Sequence, residues 1–279
     1  MEEITTDLNS LDQISSQIRL MVLEAAGTTG GGHLGGTFSC VDILVNLFNN
    51  KNFNLTTRSE SEKGGDKFIL SKGHACLAYY AILLMQKKMT SEKFDSFSKN
   101  GGLGAQLDIN VPFVHWNTGS LGHSIGISAG IAHASKINNS NMKAITLIGD
   151  SELSEGASWE AIFYSGDNML SNLIVIIDRN RLSVTSRIDK DSIYAELSDK
   201  MSKSGWNYLE IDGHDHLQIS NALQAVKISL KPTLIVANTI KGKGVSFMEN
   251  NPIWHHTRPT QEQFESAVSE LKSRVNGSF

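Results

Sequence analysis

The chain has 279 residues, a formal net charge of -4, 40% apolar residues and 19% charged residues. That length suits one large α/β domain or at most two small ones, and the composition excludes a disordered chain. With no basic stripe, nucleic acid is excluded as a first-choice partner, and apolar runs such as 173–177 are far short of a membrane span. Cys40 and Cys76 stand alone, without the spacing of a zinc site or a disulfide framework, inside apolar helical patterns that suit buried thiols. The first seven residues are polar and acidic and do not resemble a secretory signal, so a cytoplasmic protein is expected.

In chain order, Leu11, Ile14, Ile18, Met21, Val22 and Ala25 recur at helical spacing and predict a first helix. The glycines at 30–32 and 35–36 are expected to end it and open a loop. A second helix is predicted over 38–48, a short strand over 67–70, and a helix over 75–85 that is apolar nearly all round and therefore buried. Residues 144–148 and 173–177 are short apolar runs, with helical character over 157–169 between them. A strand, a crossover helix and a second strand make a parallel pair. Strands over 208–211 and 233–237, a helix over 217–230 and a terminal helix over 261–274 complete the pattern. Continuous apolar strands separated by helices imply an α/β fold: a mostly parallel sheet covered on both faces. No second domain is indicated, and 1–279 reads as a single domain.

Ligands of open parallel sheets bind at the carboxyl ends of the strands. After the first central strand comes Gly149-Asp150-Ser151-Glu152, and after the second comes Asp178-Arg179-Asn180-Arg181-Leu182. Asp150 and Asn180 thus follow two strands joined by one crossover, where their oxygens could meet on a hard cation that also binds phosphate. The alternative is that Asp150 caps a helix and Asn180 turns a loop.

The segment GDSELSEGASWEA at 149–161 resembles the thiamine diphosphate motif of transketolases, which opens Gly-Asp-Gly and closes on an Asn about 30 residues later, a crossover's length. Gly32-His33-Leu34-Gly35-Gly36 with Ser39 and Asp42-Ile43-Leu44, Ser71-Lys72-Gly73-His74-Ala75, Thr118-Gly119-Ser120-Leu121-Gly122, and Lys241-Gly242-Lys243-Gly244-Val245 through Trp254-His255 are similar to further motifs of that family, in family order. The last closely resembles the end of the N-terminal subunit of split transketolases.

The resemblance implies a thiamine diphosphate-binding fold and a set of roles. Asp150, Asn180 and the Leu182 carbonyl would hold magnesium, or calcium or manganese in its place. His74 and His255 would contact the diphosphate, and His33 and His255 would face the substrate's carbonyl or hydroxyls. Gly119 would meet the aminopyrimidine through its carbonyl, Leu121 by packing, and Val184 would lie against the thiazolium. Ser151 stands where the family has Gly, offering its N–H to the diphosphate, and Glu155 and Glu160 correspond to acids at the partner interface. The family's pyrimidine-binding domain, with the glutamate that activates the coenzyme, is expected to lie outside this chain. A partner subunit supplying it is therefore expected, with two copies of each chain, acting on small sugars by transfer of a two-carbon ketol unit from a ketose to an aldose.

The chain departs from the family between Gly104 and Thr118. Ala105-Gln106 replaces a His-Pro whose histidine touches the donor, and His115 is the candidate stand-in. His123 replaces a Gln, and Thr185-Ser186 replaces an Asp-Gly pair. These changes leave coenzyme binding intact and point to an unusual donor or acceptor. Two other readings stand beside this one: the α subunit of a 2-oxoacid dehydrogenase, and a non-catalytic regulatory homologue.

Overall fold

The computed structural model describes residues 8–29, 32–57, 65–183 and 193–275. Its centre is a sheet of five parallel strands: β1 (Lys67–Leu70), β2 (Ala144–Gly149), β3 (Leu173–Arg179), β4 (Asn207–Asp212) and β5 (Thr233–Asn238), in the order β1-β2-β3-β5-β4. All five strands match the expected apolar runs, extended by at most two residues at an end. They are rich in β-branched residues, which suit a pleated surface buried on both sides.

Side chains alternate across the sheet. Ile145, Leu147, Ile174, Ile176 and Ile235 enter one core, while Ala144, Ile148, Val175, Ile177, Leu234 and Val236 enter the other. The first core is covered by α1 (Leu8–Thr29), α3 (Val41–Asn49), α4 (Cys76–Met85), α9 (His216–Ala225) and α10 (Gln261–Val275). The second is covered by α6 (His123–Ile137), α7 (Gly156–Asp167) and α8 (Leu197–Lys203). Each fully buried Val, Leu or Ile contributes about 1.5–3 kcal/mol, so the two cores carry the fold.

Two expectations need correction. The helix expected over 38–48 is two helices, α2 (Leu34–Ser39) and α3, with a break at Cys40. Gly35 and Gly36, expected in a loop, lie inside α2 and are buried. A Cβ on Gly35 would stand 2.8 Å from the Trp254 carbonyl oxygen, and one on Gly36 would stand 3.1 Å from His74 Nε2. These glycines let a helix approach other chain segments closely, which periodicity alone does not reveal. The short α5 (Ser91–Phe94) and α8 had no strong apolar period to announce them. Among the described residues no helix is long and apolar enough to cross a membrane.

Candidate functional site

Gly149 pairs in register with Asp178, so the chain leaves β2 and β3 side by side. Asp150 Oδ2 accepts the Arg181 N–H at 2.6 Å, and Oδ1 accepts the Ser151 N–H at 2.8 Å. Asn180 Oδ1 accepts the Leu182 N–H at 3.2 Å, which also makes the local turn weighed as its alternative role. Asp150 opens a short 3-10 turn, Asp150–Ser154, whose cap position is held by Gly149. Asp150, Asn180 and Leu182 are therefore brought together, as their order after adjacent strands implied. Burial and the neighbouring Asp178 carboxylate push the Asp150 carboxyl up to about 6.

Beneath them lies a buried polar floor. Asp178 accepts from Lys72, from Thr239 and from Ser39 Oγ at 2.6 Å, and Lys72 Nζ also donates to the Gly36 carbonyl at 2.7 Å. Burial alone would raise the Asp178 pKa, but the Lys72 ammonium together with the hydrogen bonds from Lys72, Ser39 and Thr239 outweighs it and holds the carboxyl low. Lys72 is opposed by its own burial, yet Asp178 pushes it up to about 12. Glu152, also buried, accepts from the Gly149 N–H at 2.9 Å, the Gly122 N–H at 3.0 Å and Ser71 Oγ at 2.5 Å. It ties the β2 end to two glycine-rich loops.

Above the floor four imidazoles gather. His33 lies 5.0 Å from His74, 5.3 Å from His255 and 4.6 Å from His256, between ring centroids. A bridge between Gly32 and Thr257 joins the segments that carry His33 and the His255–His256 pair, and His74 comes from the turn after β1. Lys241 Nζ donates to the Leu182 carbonyl at 3.0 Å and to His255 Nδ1 at 3.1 Å. An ammonium can only donate, so His255 accepts at Nδ1 and keeps Nε2–H free to donate. Burial and Lys241 lower His255 to about 4; burial and Lys72 lower His74 to about 2. His33 is lowered by burial and then by His256. Neutral imidazoles with N–H donors result. Burial and repulsion from Lys72 lower Lys241 itself to about 8.

The remaining expected residues lie around this centre. Gly119 has φ +132°, and a Cβ there would stand 3.2 Å from the Gln106 side chain. Leu121 is exposed on the loop before α6, and Glu155 is exposed at the start of α7, against Gly122. The Ser151 N–H is directed at Asp150. Val184, with Thr185 and Ser186, lies outside the described residues. Ala105 lines a cavity of about 250 Å³ with His33, His74 and His256, whereas Gln106 turns toward Gly73 and Gly119. His115 binds the Thr56 carbonyl at 2.9 Å and does not line that cavity. Sequence reasoning gave no role to Lys72, Glu152, Asp178, Lys241 or His256. Lys72, Glu152 and Lys241 stand beside glycine motifs, Asp178 ends a strand and His256 follows His255, but none of this says where a side chain points. Among the described residues no three of His, Cys, Asp and Glu form a metal-binding group.

A family model described as transketolase, thiamine diphosphate binding domain, matches residues 10–274. The chain belongs to this family. It is 33% identical over 270 residues to an apulose-4-phosphate transketolase subunit of Phocaeicola vulgatus, covering 96% of each protein. It is 33% identical over 268 residues to the 6-deoxy-6-sulfo-D-fructose transketolase subunit SqwG of a Clostridium species, covering 94% of this chain and 96% of that one. Against human transketolase it is 28% identical over 273 residues and covers 96% of itself but 43% of that protein. The crystal structure of transketolase from Campylobacter jejuni superposes with a TM-score of 0.87 at 25% identity, over 94% of this chain and 43% of that one. The parallel sheet is thus that of the family's thiamine diphosphate-binding fold.

Proposed function

We propose that this chain is the diphosphate- and metal-binding subunit of a two-chain transketolase that moves a two-carbon ketol unit from a ketose donor to an aldose acceptor. The whole chain is read as one domain, since both cores pack on a single sheet. One observation carries the reading: past the ends of β2 and β5, on either side of β3, stand a buried carboxylate short of a cation and a buried ammonium short of an anion. Asp150 is pushed up to about 6 and Lys241 down to about 8. A divalent cation bound to a diphosphate relieves both at once. The donor set fits magnesium, or calcium or manganese in its place: one carboxylate, the Asn180 amide oxygen and the Leu182 carbonyl, with phosphate oxygens completing the shell.

Asp150, Asn180 and Leu182 would hold the metal, and Lys241 would turn its charge to the diphosphate as the metal takes the Leu182 carbonyl. His74 and His255, both neutral, would donate N–H bonds to phosphate oxygen, and the Ser151 N–H would add a third donor on releasing Asp150 Oδ1 to the metal. The Gly119 carbonyl and Leu121 would receive the aminopyrimidine, with Glu155 beside them at the partner face and Val184 on the thiazolium. When bound, thiamine diphosphate supplies carbanion stabilisation and an electron sink for C–C cleavage. His33 would donate to the substrate oxygen as negative charge develops there, with His255 facing the same substrate; preorganised donors in a dry site contribute most to such steps.

The activating glutamate would come from a pyrimidine-binding partner subunit, in an assembly of two copies of each chain. Support comes from length: the chain matches proteins named as transketolase subunits nearly end to end and covers less than half of human transketolase. Relatives named for apulose phosphate and sulfofructose, together with Ala105 at the donor cavity, favour a specialised ketose. Two buried unpaired thiols suit a reducing compartment, and the cytoplasm is the proposed location.

The test is magnesium-dependent thiamine diphosphate binding by the chain with its partner. Asp150→Ala is expected to weaken it at least about tenfold, near 1.4 kcal/mol; equal affinity overturns the metal assignment. Turnover of ketoses but not of pyruvate or branched oxoacids separates this reading from that of a 2-oxoacid dehydrogenase component.

A further inference from the structure

We propose that His214 is a positioning residue that fixes the Lys241 backbone through the Ile240 amide. The inference rests on the assignment of Lys241 to the diphosphate. Arg19 grips Asp42 with two bonds, Nη1 to Oδ1 at 3.0 Å and Nη2 to Oδ2 at 2.6 Å, and Nη2 also donates to the Phe38 carbonyl at 3.0 Å. Asp42 Oδ2 meets His214 Nδ1 at 2.6 Å, and the Ile240 N–H donates to His214 Nε2 at 2.8 Å. All three side chains are at most 10% exposed.

These partners leave one tautomer. A backbone N–H can only donate, so Nε2 accepts; a carboxylate paired with Arg19 can only accept, so Nδ1 carries the hydrogen. The imidazole is a rigid neutral strut running from α1 and α3 to the segment after β5. Beyond Asn238 the ladder ends, and Ile240 has its N–H on His214 where a strand partner would otherwise be. The next residue is Lys241. Its far side is pinned by the Gly242 N–H to the Gly35 carbonyl at 2.9 Å. With one anchor on each side, the ammonium reaches Leu182 and His255. Support of this kind holds a contacting group in the productive geometry.

Two substitutions separate the bonds. His214→Asn keeps an N–H where Nδ1 stands, for Asp42, and withdraws the acceptor from Ile240. His214→Gln places an amide oxygen at the reach of Nε2 and restores it. The probe is inorganic diphosphate with magnesium, bound to the full chain and followed by calorimetry, in the parent and in Lys241→Met. His214→Asn is expected to weaken binding on the order of tenfold, the scale seen when supporting bonds at ion sites are lost. His214→Gln recovers most of it, and the Asn effect vanishes in the Lys241→Met background because the two residues act as one unit. Faster hydrogen exchange at the Ile240 amide in His214→Asn, without ligand, is the second readout. Equal losses in Asn and Gln, additive losses with Lys241→Met, or unchanged affinity in Asn overturn the proposal. Unchanged binding in Lys241→Met alone overturns the diphosphate assignment beneath it.

Discussion

His255 and His74 show how burial sets a proton before any ligand arrives. Their folded values, about 4 and about 2, lie below the ordinary 6.5. Above 6.5 neither the folded nor the unfolded chain holds these protons, and the full stability is present. As pH falls from 6.5 toward 4 the unfolded chain takes up protons that the folded chain refuses, so stability declines. Asp150, raised to about 6, acts oppositely: its contribution is present below 3.8 and lost as pH rises through 6. The prediction is therefore differential. Urea unfolding of His255→Gln between pH 7 and pH 4 should lose less stability than the parent; parallel curves would contradict the assignment. Gly122 is a second residue-scale case. Its φ is +81°, and a Cβ would stand 2.5 Å from Glu155 Cβ. Gly122→Ala should cost about 1–3 kcal/mol for a forced left-handed residue, read from the shift in denaturation midpoint.

Among the elements, the turn after β2 does the joining. Glu152 reaches from it to the Ser71 loop and to the loop before α6, accepting two backbone N–H groups and one hydroxyl. Burial raises its pKa, and the three donors oppose that rise without cancelling it. Removing the side chain leaves two backbone donors unpaired, each costing about 1–3 kcal/mol. Glu152→Ala is expected to lose about 3 kcal/mol in chemical denaturation and to weaken diphosphate binding as the loops separate. A stability change under 1 kcal/mol would show that water replaces the carboxylate. Helix α2 plays the matching part on the other loop: Gly35 and Gly36 let it lie against Trp254 and His74, which brings His33 within reach of both partner imidazoles.

For the whole molecule, α6 and α7 present large apolar side chains to the outside. Phe163 is 52% exposed and Ile137 69%, and Met169, just past the end of α7, is 63% exposed. Exposed apolar surface can mark an interaction site, and under the proposed function the partner subunit is expected to cover it. Phe163→Asp should leave the melting temperature within about 2 °C, as exposed substitutions usually do, while reducing association with the partner in sedimentation velocity. Unchanged association would place the interface elsewhere.

The sheet and the first half of the site were legible in residue order alone. Apolar runs ending at Gly149-Asp150 and Asp178-Arg179-Asn180 set two parallel strands, and parallel strands must release their following residues at one edge. Order along the chain was enough there, because backbone pairing converts order into proximity. Tertiary packing alone decided the rest. Lys72 and Lys241 are far apart in sequence, and only the fold sends one to a buried carboxylate and the other to a pair of carbonyls. Ala105 and Gln106 are neighbours, yet only packing turns the first toward the histidines and the second away. Side-chain direction in irregular loops follows from contacts made across the molecule, and no local period encodes it.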